Sequence, residues 1–170
     1  MTMVSLPARY FRPFVAAVGL IALIAGPADA EQASSSPLQL ELKIFLGDVE
    51  GRIDHLAIDL SRKRLFVAEL GNGTVDVVDL EDHRVVHTIG GLKEPQGVAY
   101  IGDQDVIIVA SAGDGAVRFF RADDLSPLGT VDLGNNANNV RIDPVTRQAL
   151  VGCVSACKFD PLGGVIGVQF

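Results

Sequence analysis

Arg64-Leu65-Phe66-Val67-Ala68-Glu69-Leu70-Gly71-Asn72-Gly73-Thr74-Val75-Asp76-Val77-Val78-Asp79 is a pair of short apolar runs hinged on Gly-Asn-Gly. Val, Ile, Phe and Thr suit a pleated, half-buried strand, and neither run reaches the roughly 10 to 12 residues a helix would want. An Asn-Gly pair supplies the positive φ angles of a tight hairpin, so the two runs should pair antiparallel. The same stretch recurs 42 residues later: Val67-Ala68 falls on Val109-Ala110, Gly71-Asn72-Gly73 on Gly113-Asp114-Gly115, and Val75 on Val117.

Working outward, Ala57 falls on Ala99 and Thr88 on Thr130, and a third copy opens with Val140, 42 residues after Val98. A period of this length marks one supersecondary unit that cannot bury its apolar face alone and must stack on copies of itself. Within Gly51 to Leu92 four strands are expected: 55–59, 64–69, 74–79 and 84–89. The second copy places them at 97–101, 106–110, 116–121 and 128–133. Four antiparallel strands in about 42 residues make one propeller blade. The fold class expected is therefore all-β, a partial β-propeller of antiparallel four-stranded blades. The turn glycines 71, 73, 113 and 115 are read as hairpin residues, because a phosphate cradle would need a following helix.

Leu42 to Leu46 also keeps time, lying 42 residues ahead of Arg84 to Thr88. It is expected to be an isolated fourth strand, of the kind that lets an N-terminus complete the last blade of a closed ring and cover exposed sheet edges.

The strand–turn–strand of residues 64–79 resembles the YVTN-type β-propeller repeat, in which a Tyr/Phe-Val-x-Asn strand enters a Gly/Asn turn and then a Val-x-Val-Ile-Asp strand. Val109-Ala110-Ser111 and 113–117 repeat the motif more loosely, and Glu69 and Ser111 stand where the motif has Asn. The resemblance covers about residues 40–152. It implies an exported bacterial protein with about seven blades, some members being associated with periplasmic redox or ligand-binding systems.

Export also follows from the N-terminus. Arg9 and Arg12 precede a 13-residue apolar run, 14–26, and Ala28-Asp29-Ala30 is a small-x-small cleavage site. The run is shorter than the roughly 20 residues that span a bilayer, so cleavage after Ala30, no stable membrane span and a periplasmic or secreted location are expected. The organisation is then signal peptide 1–30, polar spacer 31–39, blades 51–92 and 93–134, a partial blade 135–152, and an off-pattern tail 153–170. Cleavage moves the net charge from −7 to about −8. An acidic chain without a basic stripe excludes nucleic acid as a partner.

In the tail the beat is lost. Ser155 falls where Gly71 and Gly113 stood. Either a genuine insertion or out-of-frame sequence on a partial propeller explains this, and the second is the reading taken, making the chain a fragment of a longer propeller. Residues 163–170 would form a hairpin turn and strand displaced by about six. Cys153 and Cys157 would stand about 13 Å apart along a strand, beyond the roughly 7 Å a disulfide tolerates. They are read as two incidental thiols unless a turn intervenes.

A propeller brings one repeat position from every blade to the same mouth. The loop leading into each first strand supplies Arg52, Asp54 and His55, then Glu94, Gln96 and Gly97, then Asn136, Asn138 and Asn139. Polar groups converging on a concave opening are the default ligand site. The ligand-binding candidates are Arg52, Asp54, His55, Glu94, Gln96, Asn136, Asn138 and Asn139. Asp54 and His55 are neighbours, whose side chains in an extended strand point to opposite faces, so no acid/base dyad is read there. His83 and His87 do not form a metal site, and no serine sits in a nucleophile elbow. The function expected is binding of a small molecule or protein, without catalytic residues or cofactor. The alternative is a metal-assisted hydrolase resembling gluconolactonase-like propellers, with Glu94, Asn138 and Asn139 holding calcium or another divalent cation through oxygen. Unclosed blade edges should also self-associate.

Overall fold

A computed structural model describes residues 38–154, 157, 158 and 164–169. The expected signal peptide, 1–30, and residues 31–37 of the expected spacer lie outside the described residues. Unit 40–170 is all-β and holds eleven described strands: β1 Ile53–Asp59, β2 Arg64–Glu69, β3 Thr74–Asp79, β4 Arg84–Ile89, β5 Pro95–Ile101, β6 Val106–Ser111, β7 Ala116–Arg121, β8 Pro127–Asp132, β9 Ala137–Asp143, β10 Gln148–Cys153 and β11 Gly164–Gln169. They form three antiparallel sheets, β1-β2-β3-β4, β5-β6-β7-β8 and β11-β10-β9, and the arc is not closed.

The blades stack because each sheet is apolar on both faces at its centre. Phe66, Ala68, Val75 and Val77 of the first blade meet Val98, Ile107, Val109 and Phe120 of the second. Ile108, Ala110, Val117 and Phe119 on the other face of the second meet Val140, Ala149, Val151 and Val168 of the third. Each fully buried side chain of this size contributes about 1.5–3 kcal/mol relative to exposure. The innermost strands run side by side, with β5 against both β1 and β9.

The β1–β2, β5–β6 and β9–β10 hairpins each end on a left-handed residue at the same repeat position: Lys63 (φ 50°), Asp105 (φ 57°) and Arg147 (φ 56°). None is Gly or Asn. Two of these hairpins are braced by an aspartate at the strand end: Asp59 Oδ1 accepts from the Ser61 and Arg62 amides, and Asp143 Oδ1 from those of Val145 and Thr146. Such side-chain turns offset a left-handed residue's cost of about 1–2 kcal/mol.

Two sequence expectations are corrected and one is met. Residues 42–46 are in no strand, because the ring-closing sheet they would join is absent among the described residues. The displaced strand expected within residues 163–170 is present: β11 pairs with β10 from Cys153↔Gly164 to Gln148↔Gln169, in the third-strand place and six residues later than the 42-residue beat. Finally, Cys153 and Cys157 are joined by a disulfide, with Cα atoms 6.2 Å apart. The chain turns after β10, which the extended-strand distance did not allow for, and both cysteines are buried in the core between the second and third blades.

Candidate functional site

The residues leading into β1, β5 and β9 have two distinct jobs. The first is a backbone latch. Leu70 N–H donates to Arg52 O (3.0 Å), Ala112 N–H to Glu94 O (2.9 Å) and Val154 N–H to Asn136 O (3.2 Å), three bonds in step with the repeat. Each ties the second hairpin of a blade to the start of its first strand. Glu94 and Asn136 adopt left-handed backbone (φ 52° and 49°) to reach it. Beside this latch the first blade needs a glycine, since a Cβ on Gly71 would lie 2.4 Å from Glu50 O.

The second job falls to the next residues, and here each first strand is bulged. The β1–β2 register slips between Ile53 and Leu56, β5–β6 between Pro95 and Gly97, and β9–β10 between Val151 and Cys153, opposite residues 137–140. A bulge breaks the alternation of a strand and re-aims its side chains. Asp54 and His55, Gln96, and Asn138 and Asn139 sit at these three irregularities.

Asp54 and His55 therefore do meet, against the expectation of opposite faces. His55 Nδ1 lies 3.2 Å from Asp54 Oδ1 and 2.9 Å from the Gln96 carbonyl oxygen. Both neighbours accept hydrogen bonds, so the proton belongs on Nδ1 and a neutral ring keeps its lone pair on Nε2. Arg52 donates to the other oxygen of Asp54, Oδ2, at 3.0 Å. Half-buried Asp54 and His55, exposed Arg52 and the Gln96 backbone thus form one polar group across the first two blades.

Between the second and third blades the same place is filled differently. Gly97 is the repeat partner of His55, and a Cβ there would lie 2.1 Å from Asn138 O. Backbone approaches backbone with no side chain between. Asn139 Oδ1 accepts from Arg141 at 2.6 Å. Among the described residues no hydrogen bond joins the Glu94 side chain to Asn138 or Asn139, and no group of three His, Cys, Asp or Glu is placed to hold a metal.

At the opposite end of the first two blades, buried Asp59 and half-buried Asp105 share Arg62, whose guanidinium lies 3.0 Å from Asp59 Oδ2, and Tyr100 donates to Asp105 at 3.1 Å. Burial pushes the Asp59 carboxyl up, but the Ser61 hydroxyl, the Arg62 and Ser61 amides and the Arg62 charge together hold it below its ordinary value. A depression of about 290 Å³ lies at that end between the second and third blades, edged by Tyr100, Asp103, Gln104, Asp143 and Arg147.

Sequence reading missed one buried acid pair. Glu69 and Asp76 are both buried on the first blade, with Thr74 donating to Glu69 Oε2 (3.1 Å) and Thr88 to Asp76 Oδ1 (2.7 Å). Glu69 Oε1 has no hydrogen-bond partner among the described residues. Burial, then the neighbouring Asp76 charge, pushes the Glu69 carboxyl up, and the Thr74 bond only partly opposes this. The signal was present in the replacement of the motif Asn by Glu69.

No family model and no curated protein matches this chain. Among solved structures it is similar to Kuenenia stuttgartiensis hydrazine synthase, with a TM-score of 0.58 at 18% identity, over 69% of this chain and 33% of that one. The chain spans about a third of that protein's length, and at this identity the likeness speaks for the fold alone: a propeller-like arc of antiparallel sheets.

Proposed function

We propose that this chain is an exported, YVTN-type propeller module that binds a small molecule or a protein segment at the mouth of its arc, without catalysing a reaction. The reading rests on one observation: all three first strands are bulged at the positions that carry Asp54, His55, Gln96, Asn138 and Asn139. Bulges cost ladder hydrogen bonds and are over-represented beside binding sites. Three at one repeat position, bearing different side chains, suit a mouth in which each blade offers a different contact. The acid–histidine–arginine group on the first blade and the amides on the third favour a ligand with both a donor or cationic end and carbonyl-like acceptors. The disulfide fits an oxidising compartment, which supports periplasmic or extracellular placement.

The test is a thermal-shift screen of polar metabolites and short peptides against the chain and its His55→Ala and Asn138→Ala variants. The reading expects at least one ligand whose stabilisation falls about tenfold in apparent affinity in both variants. Ligands that stabilise all three proteins equally would remove the mouth from the account. Calcium belongs in the same screen. Millimolar affinity that is lost in Glu94→Gln would replace this reading with the metal-assisted hydrolase.

A further inference from the structure

The buried acids of the first blade belong to a group of oxygens that the mouth does not use. Across the β2–β3 ladder Glu69 faces Thr74 and Val67 faces Asp76, and across β3–β4 Asp76 faces Thr88. Directly opposite residues, and residues two apart on a strand, share a face of the sheet. Glu69, Thr74, Asp76 and Thr88 therefore stand together on one face, and it is the face turned away from the second blade, which Phe66, Ala68, Val75 and Val77 meet.

Glu69 and Asp76 are 3% and 4% exposed. Each carboxylate is anchored at one oxygen by a threonine hydroxyl, Thr74 on Glu69 Oε2 and Thr88 on Asp76 Oδ1. That leaves Glu69 Oε1 orphaned, with the Asp76 carboxyl within hydrogen-bonding reach of Glu69. Among the described residues no Lys, Arg or His is ion-paired with either acid. Buried carboxylates are ordinarily paired with a cation or coordinate a metal.

The repeat shows what this place holds elsewhere. Forty-two residues on, the counterparts of Glu69 and Asp76 are Ser111 and Arg118. Arg118 brings its own cation, donating to Ser111 Oγ at 3.3 Å and to Asp114 Oδ2 at 2.6 Å. In the third blade the ladder puts Cys153 and Ile166 at these positions, without charge. Of the three blades, the first alone gathers two acids here and supplies no cation of its own.

We propose that Glu69 and Asp76 bind one calcium ion, with the hydroxyls of Thr74 and Thr88 orienting the two carboxylates around it. Carboxylate and hydroxyl oxygens are hard donors, which select calcium or magnesium over the metals that prefer nitrogen or sulfur. Two carboxylates match a doubly charged ion, whereas a proton or a sodium ion neutralises only one of them. Calcium takes about six to eight oxygens, and water entering past Thr88, which is exposed, completes the shell. With two acids the affinity is that of weak extracellular sites, about 10⁻⁴–10⁻³ M. The site shares no residue with the mouth and does not depend on what the mouth binds.

The test is a calorimetric titration of calcium into the full chain at pH 7, with ionic strength held constant by sodium chloride. One ion per chain is expected, bound at least tenfold more weakly by Glu69→Gln and by Asp76→Asn. In the same titration the amide resonances of Glu69, Thr74, Asp76 and Thr88 should be the first to move, which locates the ion in the parent even where a variant fails to fold. The double variant Glu69→Ser with Asp76→Arg reproduces the second blade's pair and should take no calcium. A parent that binds none would mean that a proton alone neutralises the pair, and would overturn the proposal. Undiminished binding by both single variants would overturn it too. So would resonance shifts confined to Glu94, Asn138 and Asn139, which would place the ion at the mouth instead.

Discussion

The seam between the first and second blades and the seam between the second and third are made from the same repeat, yet they solve the innermost contact in opposite ways. In the first, an imidazole bridges the gap, His55 Nδ1–H donating to Gln96 O at 2.9 Å. In the second, the gap is gone: Gly97 lets the strands approach until a Cβ would lie 2.1 Å from Asn138 O. A polar side chain can fill a seam and remain available to a ligand, whereas a glycine contact is purely structural. Under the proposed function the side chains at the first seam are open to a ligand, whereas the Gly97 contact of the second is a backbone one, beside a disulfide that is also buried in the core.

The largest effect that would break this comparison is loss of the apolar filling of the first seam. Phe66 is fully buried at its centre, and Phe66→Ala should cost about 3–5 kcal/mol in a urea titration. A cost under about 1 kcal/mol would mean the two blades are not packed through this face. Next comes Gly97→Ala. An added methyl meets backbone, which cannot rotate away, so a loss of about 3 kcal/mol is expected. His55→Ala at the mirrored place removes one hydrogen bond and should cost only about 1 kcal/mol. Equal effects of the two would erase the asymmetry.

The disulfide sharpens the second seam. It closes a five-residue loop, worth about 2 kcal/mol by loop-closure entropy, and the N–H of Lys158, the residue after that loop, donates to Leu133 O at 2.6 Å, tying it to the second blade. Cys153→Ser with Cys157→Ser should therefore lower the urea midpoint and speed proteolysis after β10, leaving hydrogen exchange in β2 and β3 unchanged. Protection lost in the first blade would contradict the separation of the seams.

One of the smaller effects carries a pH signature. Glu69 titrates higher in the folded chain than in the unfolded one, so the folded state holds the extra proton. Its contribution is most favourable below the unfolded value near 4.5, and stability is lost as pH rises through the folded value. Glu69→Gln supplies an amide donor toward Asp76 and cannot ionise. It should raise stability at pH 7 by about 1–2 kcal/mol and leave stability at pH 4 nearly unchanged. A variant less stable than the parent at pH 7 would show that the Glu69 carboxylate is wanted.

What could be read in the sequence divides along physical lines. The strands, hairpins and stacking were legible because period-two alternation and a 42-residue beat are carried by many residues at once, such as Val67, Val109 and Val151. The bulges were not, because a register slip depends on pairing with a second strand and leaves no mark at Asp54 or His55 themselves. That is why these two side chains meet although adjacency in a strand argued against it. The left-handed Lys63, Asp105 and Arg147 were hidden for a related reason: the turn is secured by aspartates four residues earlier, at 59 and 143, and not by the usual glycine. The Cys153–Cys157 bond was not expected because the turn that allows it lies in a connection longer than the tight hairpin the repeat leads one to expect.

The central claim is that consecutive sheets stand side by side with their first strands innermost, and proton–proton distances in solution test it most directly. Nuclear Overhauser contacts from the α-protons of Gly97 to Asn138, together with contacts from the His55 ring to Gln96, are predicted, since both cross a seam between sheets that share no ladder. Finding Gly97 close only to its ladder partner Ala110, with no contact to the third blade, would contradict the arc.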